Sequence, residues 1–186
     1  MRCFIAVDTD TKLNSKVEAL QRGLAGLDTK LVETHNLHFT LKFLGEVNDK
    51  LLESVRIALE QVTRKYQPFT INIENTGVFP SEKFIRVVWF GAQELTNLQA
   101  SVNDSLAGFF KNEKKREKGT KRKPAAHLTI ARVRSQKYRK EIIAFVNKHK
   151  NDNIGQMLVK EVKLKKSTAT PKGPVYEDIA VFELEK

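Results

Sequence analysis

Cysteine is nearly absent. Cys3 is the only one in 186 residues, which excludes an intrachain disulfide and any cysteine-based zinc site. Long apolar runs are missing too, and no segment approaches the length of a membrane span. The opening MRCFIAVDTD has an apolar run too short for a signal peptide and meets Asp8 and Asp10 at once. These absences predict a soluble intracellular protein, placed in the cytoplasm. Acidic residues are outnumbered, 22 against 33 Lys and Arg, for a net charge of +11. That surplus favours an acidic partner such as nucleic acid, although solubility alone would be served equally. The 40% hydrophobic fraction supports a packed interior. The length suits one domain over 1–186, or two small lobes sharing a core.

Histidine is scarce as well, with four copies, and two of them fall in a repeat. His38-Phe39-Thr40-Leu41 and His127-Leu128-Thr129-Ile130 both read His, apolar, Thr, apolar. Both lie in short runs rich in β-forming residues, LHFTLKFLG and AHLTIARV. On a strand, positions i and i+2 share a face. Each copy therefore sets an imidazole beside a hydroxyl, with Phe39 and Leu41, or Leu128 and Ile130, directed into a core. One such tetrapeptide is common by chance. Two in a chain with four histidines predict a shared cavity lined by two His and two Thr.

Along the chain, Arg2 to Val7 reads as a strand, and Leu13, Val17, Leu20, Leu24 and Leu27 take helical spacing. After the first His strand, Leu51, Leu52, Val55, Leu59 and Val62 mark a second helix. Strands over 69–79 and 85–90 follow, joined by a turn at Pro80 and Ser81. Leu95, Leu98, Val102, Leu106 and Phe109 mark a third helix. Residues 111–123, KNEKKREKGTKRK, carry eight Lys or Arg and two Glu without an apolar residue. This segment is expected to be a solvated loop, either a plain connector or a flap whose Lys121, Arg122 and Lys123 contact RNA phosphates. After the second His strand come a helix over 138–148, one strand over 157–165 and a last strand over 175–184. The pattern predicts α+β architecture with a largely antiparallel sheet and two pseudo-equivalent halves.

The stretches MRCFIAVD, LHFTLKFLGEV, GVFP, IRVVWFG, AHLTIARVRS and STATPKGPVYE, in this order, resemble the RNA 2′,3′-cyclic phosphodiesterases, also called 2′-5′ RNA ligases. These belong to the two-histidine phosphoesterase superfamily. The resemblance runs from end to end. It departs at Ala126, where the family often has Pro, and at Ala169, where it usually has Leu. Neither position touches a proposed catalytic group. The resemblance implies two α+β lobes with helices outside and an active-site cleft between them, one H-x-T-x strand coming from each.

Opening a 2′,3′-cyclic phosphate needs a base to activate water and an acid to protonate the departing ribose oxygen. Imidazole serves either role near neutral pH, and Thr40 and Thr129 could hold the non-bridging oxygens. Spacing leaves open which histidine is which. The resemblance implies His127 as proton acceptor and His38 as proton donor, leaving a 2′-phosphate. A regular strand aims Arg132 away from this face, so a bulge would be needed to bring it there; the family pattern keeps an Arg at this place. Tyr176 could stack on a base or ribose or serve the core, and Phe79 and Pro80 could wall the cleft. A zinc site built on His35 and His38 fits no strand ligand spacing and leaves the second motif unexplained, so no metal or cofactor is expected. His35 and His149 are expected to be exposed. ATP-independent 2′-5′ ligation to a 5′-hydroxyl end would use the same residues. A non-catalytic RNA-binding module would need the charge but neither His–Thr pair. RNA ends, tRNA fragments included, are the expected partner, and a monomer the expected state.

Overall fold

The computed structural model describes residues 1–110, 126–171 and 173–185. Lys121, Arg122 and Lys123 lie outside the described residues, as does the whole segment 111–123. The order is β1 (Arg2–Asp8), α1 (Asn14–Arg22), β2 (Thr29–Leu31), β3 (His38–Glu46), α2 (Asp49–Thr63), β4 (Phe69–Ser81) and β5 (Phe84–Gly91). There follow α3 (Thr96–Leu106), β6 (His127–Val133), α4 (Arg139–Lys148), β7 (Asn153–Val159), β8 (Glu161–Thr170) and β9 (Gly173–Glu183). All four helices bury an apolar stripe, but only α2 starts on a side-chain cap; α1, α3 and α4 begin at Leu13, Leu95 and Tyr138 without one. At α2 the Asn48 side chain accepts from the Leu51 amide at 2.9 Å, Asp49 sits in the first turn, and Val55, Leu59 and Val62 are buried.

The strands pair in the order β7-β4-β5-β6-β3-β1-β8-β9, with β2 added beside β6, and every pairing described is antiparallel. This order divides into two four-stranded lobes, β3-β1-β8-β9 and β6-β5-β4-β7. Among the described residues one ladder pair, Phe39 with Leu128, joins them within the sheet. Both side chains are fully buried. Two helices pack crosswise beneath the lobes, while α2 and α4 stay under the lobe whose His strand they follow. α1 follows β1 yet packs on β6, and α3 follows β5 yet packs on β3. No helix among the described residues is long and apolar enough to cross a membrane.

The α+β class and the antiparallel lobes match the sequence pattern, but one expected strand is two. Residues 157–165 contain the boundary at Lys160: β7 pairs with β4 in one lobe, and β8 pairs with β1 in the other. The phase of burial records the break. Met157 and Val159 are buried, then Val162 and Leu164, a step of three where a continuous strand steps by two. Strand β2, three residues long, gave no periodic signal.

Both His strands are irregular at the same point. Opposite β1, Thr40 faces Ala6 and Lys42 faces Ile5, so Leu41 is left over. Opposite β5, Thr129 faces Trp89 and Ala131 faces Val88, so Ile130 is left over. These are the fourth residues of the two motifs. An extra residue shifts the side-chain alternation by one, and burial follows: Ile130 and Ala131 are both buried. Lys42 accordingly turns to the helix side, where its Nζ donates to Asn103 Oδ1 of α3 at 3.2 Å.

Candidate active site

The Phe39–Leu128 pair sets the geometry. One step away in antiparallel register, His38 lies across from Thr129 and Thr40 across from His127. Phe39 and Leu128 point into the core, so all four polar side chains share the opposite face. Each histidine therefore neighbours the threonine of the other motif. All four are half-buried.

His38 is held by its ring. Nδ1–H donates to the Asn36 carbonyl at 2.7 Å, which leaves Nε2 for the cleft. The Phe4 ring lies 5.0 Å from the imidazole centroid, and Tyr176 meets it edge-on at 5.3 Å. Burial pushes the His38 pKa below its ordinary 6.5; the Asn36 carbonyl and Asp8 oppose this, and the charges of Lys165 and Arg132 add to it. His127 sits in a different wall. Phe79 meets it edge-on at 4.8 Å and Trp89 lies 6.0 Å away, the two aromatics being stacked on each other at 5.0 Å. Gly77 makes that wall possible, because a Cβ there would lie 2.5 Å from Trp89 Cζ2.

Beside His38 stands a cluster of charges that sequence reading missed. Asp8 faces His38 across the β1–β3 pair, while Lys163 and Lys165 face Ala6 and Phe4 of the same β1 face. Lys165 Nζ donates to Asp8 Oδ2 at 2.8 Å and to Asp178 Oδ1 at 2.6 Å, and is only 7% exposed. Lys163 Nζ lies 3.0 Å from each of the same two carboxylates. Burial pushes the Asp178 carboxyl up, yet the hydrogen bonds from Lys165 and Lys163 outweigh it and hold the pKa low. The available signal was Lys163 and Lys165 at i and i+2 among buried Val162 and Leu164, a cationic face on a strand otherwise directed to the core. Replacing Lys165 by Met removes one of two cations clamping these carboxylates. We expect stability to fall by about 1–3 kcal/mol, Lys163 still pairing both acids. The His38 titration should move up, because a nearby positive charge is gone. Denaturant melts and imidazole NMR titration check the two effects.

The bulge at Ile130 decides where Arg132 goes. After it, Ala131 faces the core and Arg132 turns to the face of His127 and Thr129, its charge reaching His38. The matching bulge in β3 turns Phe43 to the same face, opposite Phe4; it is 64% exposed. Counting five from each histidine gives Phe43 and Arg132, a signal present in the repeat. Tyr176 belongs to the site wall, packed on Phe4 at 4.9 Å as well as on His38. Phe79 stands on the His127 side, and Pro80 after it is exposed. His35 is exposed and paired with Glu33 at 3.2 Å. His149 corrects the expectation of exposure: it is half-buried against the Phe145 ring at 4.6 Å and bonded to Asp152 at 2.7 Å, because it closes the end of α4 over the core. Among the described residues no three His, Cys, Asp or Glu side chains converge as metal ligands would.

Two histidine–threonine strands set edge to edge at the junction of two lobes form the candidate site, the arrangement that the resemblance to two-histidine phosphoesterases implies. Comparison with known proteins identifies the family. The model of the LigT-like phosphoesterases matches residues 5–89. An Archaeoglobus fulgidus protein named RNA 2′,3′-cyclic phosphodiesterase is 41% identical over 189 residues, covering 98% of this chain and 100% of that protein. A Methanothermobacter thermautotrophicus protein of the same name is 38% identical over 99% of both chains. A crystal structure from Thermus thermophilus superposes with TM-score 0.81 at 28% identity, over 99% of this chain and 98% of that one. The chain belongs to the LigT-like phosphoesterase family.

Proposed function

We propose that the protein hydrolyses RNA 2′,3′-cyclic phosphate ends to 2′-phosphates by metal-independent acid–base catalysis. The observation that carries this reading is the Phe39–Leu128 pair, which brings both His–Thr sets onto one face. The names of the full-length relatives support it. In the reaction, water attacks phosphorus as His127 takes its proton. The P–O3′ bond breaks on the opposite side, and His38 Nε2–H gives its proton to O3′. Thr40, Thr129 and Arg132 hold the non-bridging oxygens, whose charge grows in the transition state. Tyr176, Phe79 and Phe43 offer apolar surface to the ribose and base, and Lys121, Arg122 and Lys123 add contacts to RNA phosphates. One chain supplies both histidines, so a monomer suffices. RNA ends, tRNA fragments included, are the proposed substrate, and the cytoplasm is the proposed location.

The reading predicts a particular pH dependence. A proton donor must be charged, and the His38 pKa in the free protein is depressed below 6.5. The fraction protonated falls as pH rises through that value, so kcat/KM should decline with a midpoint below about 6.5. A bound phosphate anion favours the imidazolium, so the corresponding limb of kcat should lie at higher pH. Coincident limbs in the two profiles would contradict this assignment of the acid.

The deciding experiment incubates a short RNA ending in a 2′,3′-cyclic phosphate with the protein in EDTA and identifies the product. A 2′-phosphate is expected. A 3′-phosphate would reverse the placement of the acid, and dependence on added metal would end the proposed mechanism. Adding an RNA with a 5′-hydroxyl to the same mixture tests ligation, which would appear as a longer RNA with a 2′-5′ joint.

A further inference from the structure

We propose that Gln21 is a positioning residue for the active site: its buried side chain locks the β6 bulge and so turns Arg132 toward the substrate phosphate. This rests on the phosphate-binding role proposed for Arg132. Gln21 lies on α1, over a hundred residues away in sequence, and is 4% exposed. Its Nε2 donates to the Ile130 carbonyl at 2.8 Å and to the Val32 carbonyl at 2.7 Å. Ile130 is the residue left over in the β5–β6 ladder, and its carbonyl points to the other side, where Val32 continues the β2–β6 register. The Val32 amide meets the same oxygen at 3.0 Å. The bulge is thus capped by two donors where a plain strand would offer one. Without the bulge, ordinary alternation returns position 132 to the core side, where a guanidinium has no place.

The first lobe repeats the device. Leu41, the left-over residue of β3, accepts at its carbonyl from Gln99 Nε2 of α3 at 3.2 Å. Both left-over residues close an H-x-T-x motif. Both are capped by a glutamine from the helix that reaches across from the other half of the molecule. The recurrence identifies the glutamines as part of how the motif is built, since general packing would not place the same side chain on the same carbonyl twice. Gln99 acts on Phe43 as Gln21 acts on Arg132.

The test compares Gln21→Met, Arg132→Ala and the double variant on a short RNA ending in a 2′,3′-cyclic phosphate. Arg132→Ala should raise KM about tenfold or more. Gln21→Met, nearly the same shape without the amide, should raise KM similarly and add less than about twofold in the Arg132→Ala background. Gln99→Met should instead multiply with Arg132→Ala. A Gln21→Met effect that multiplies fully with Arg132→Ala would overturn the proposal. A second measurement is independent of catalysis. A thiol introduced by Arg132→Cys should react with an exposed-thiol reagent, Cys3 being buried, and Gln21→Met should slow that reaction at least about tenfold. Slowed labelling with no KM change in Arg132→Ala would sink the phosphate role of Arg132 while upholding the lock. Unchanged labelling would overturn the lock.

Discussion

Replacing His38 or His127 by alanine is expected to lower kcat on an RNA 2′,3′-cyclic phosphate by about 10²–10⁴-fold. That range is what a positioned acid or base contributes. The two losses should not multiply, because both protons move in one displacement and a site missing either group has already lost the concerted path. His38→Ala carries an extra structural cost. It leaves the Asn36 carbonyl without its 2.7 Å donor and opens space between Phe4 and Tyr176. Thermal melts beside single-turnover kinetics separate that cost from chemistry, since a folded variant with lost turnover isolates the proton transfer. Turnover retained by the double variant would remove the two-histidine mechanism altogether.

The second large effect lies beneath the site. Phe39→Ala should cost about 3–5 kcal/mol, the range for truncating a fully buried aromatic side chain. In a domain of this size that corresponds to a fall in Tm of roughly 6–20 °C. Phe39 is fully buried and is half of the β3–β6 ladder pair described between the lobes. Its loss should therefore also disturb the register that faces each histidine with the opposite threonine, so kcat should drop in protein that remains folded at low temperature. Phe39→Leu keeps an apolar side chain at the junction and should lose much less of both stability and turnover. Equal activity in the two variants would show that the junction does not set the site.

The repeat His38-Phe39-Thr40 and His127-Leu128-Thr129 was legible because period-two alternation is local, and it named the site face and the core face together. The strand class was legible for the same reason. What escaped depends on contacts distant in sequence. The charge cluster needs Asp8 of β1, Lys163 and Lys165 of β8 and Asp178 of β9 to meet, and no local pattern announces that. Arg132 shows the limit most clearly. Alternation sends it to the wrong face, and only the extra residue Ile130, visible in the pairing with β5, returns it. The break at Lys160 was written in the spacing of Val159 and Val162, but two strands of similar composition from different lobes read as one.

The interleaved strand order has a consequence for taking the molecule apart. A cut anywhere between residues 110 and 126 would give an N-terminal piece with β1 to β5 and α1 to α3, and a C-terminal piece with the rest. The first piece holds β3 and β1 of one lobe and β4 and β5 of the other; the second holds the complementary strands of both. Neither fragment is a lobe, and each carries one of the two histidines. Such fragments are interlocking components of a single assembly, and catalytic turnover on mixing them would itself count how many had found their complement.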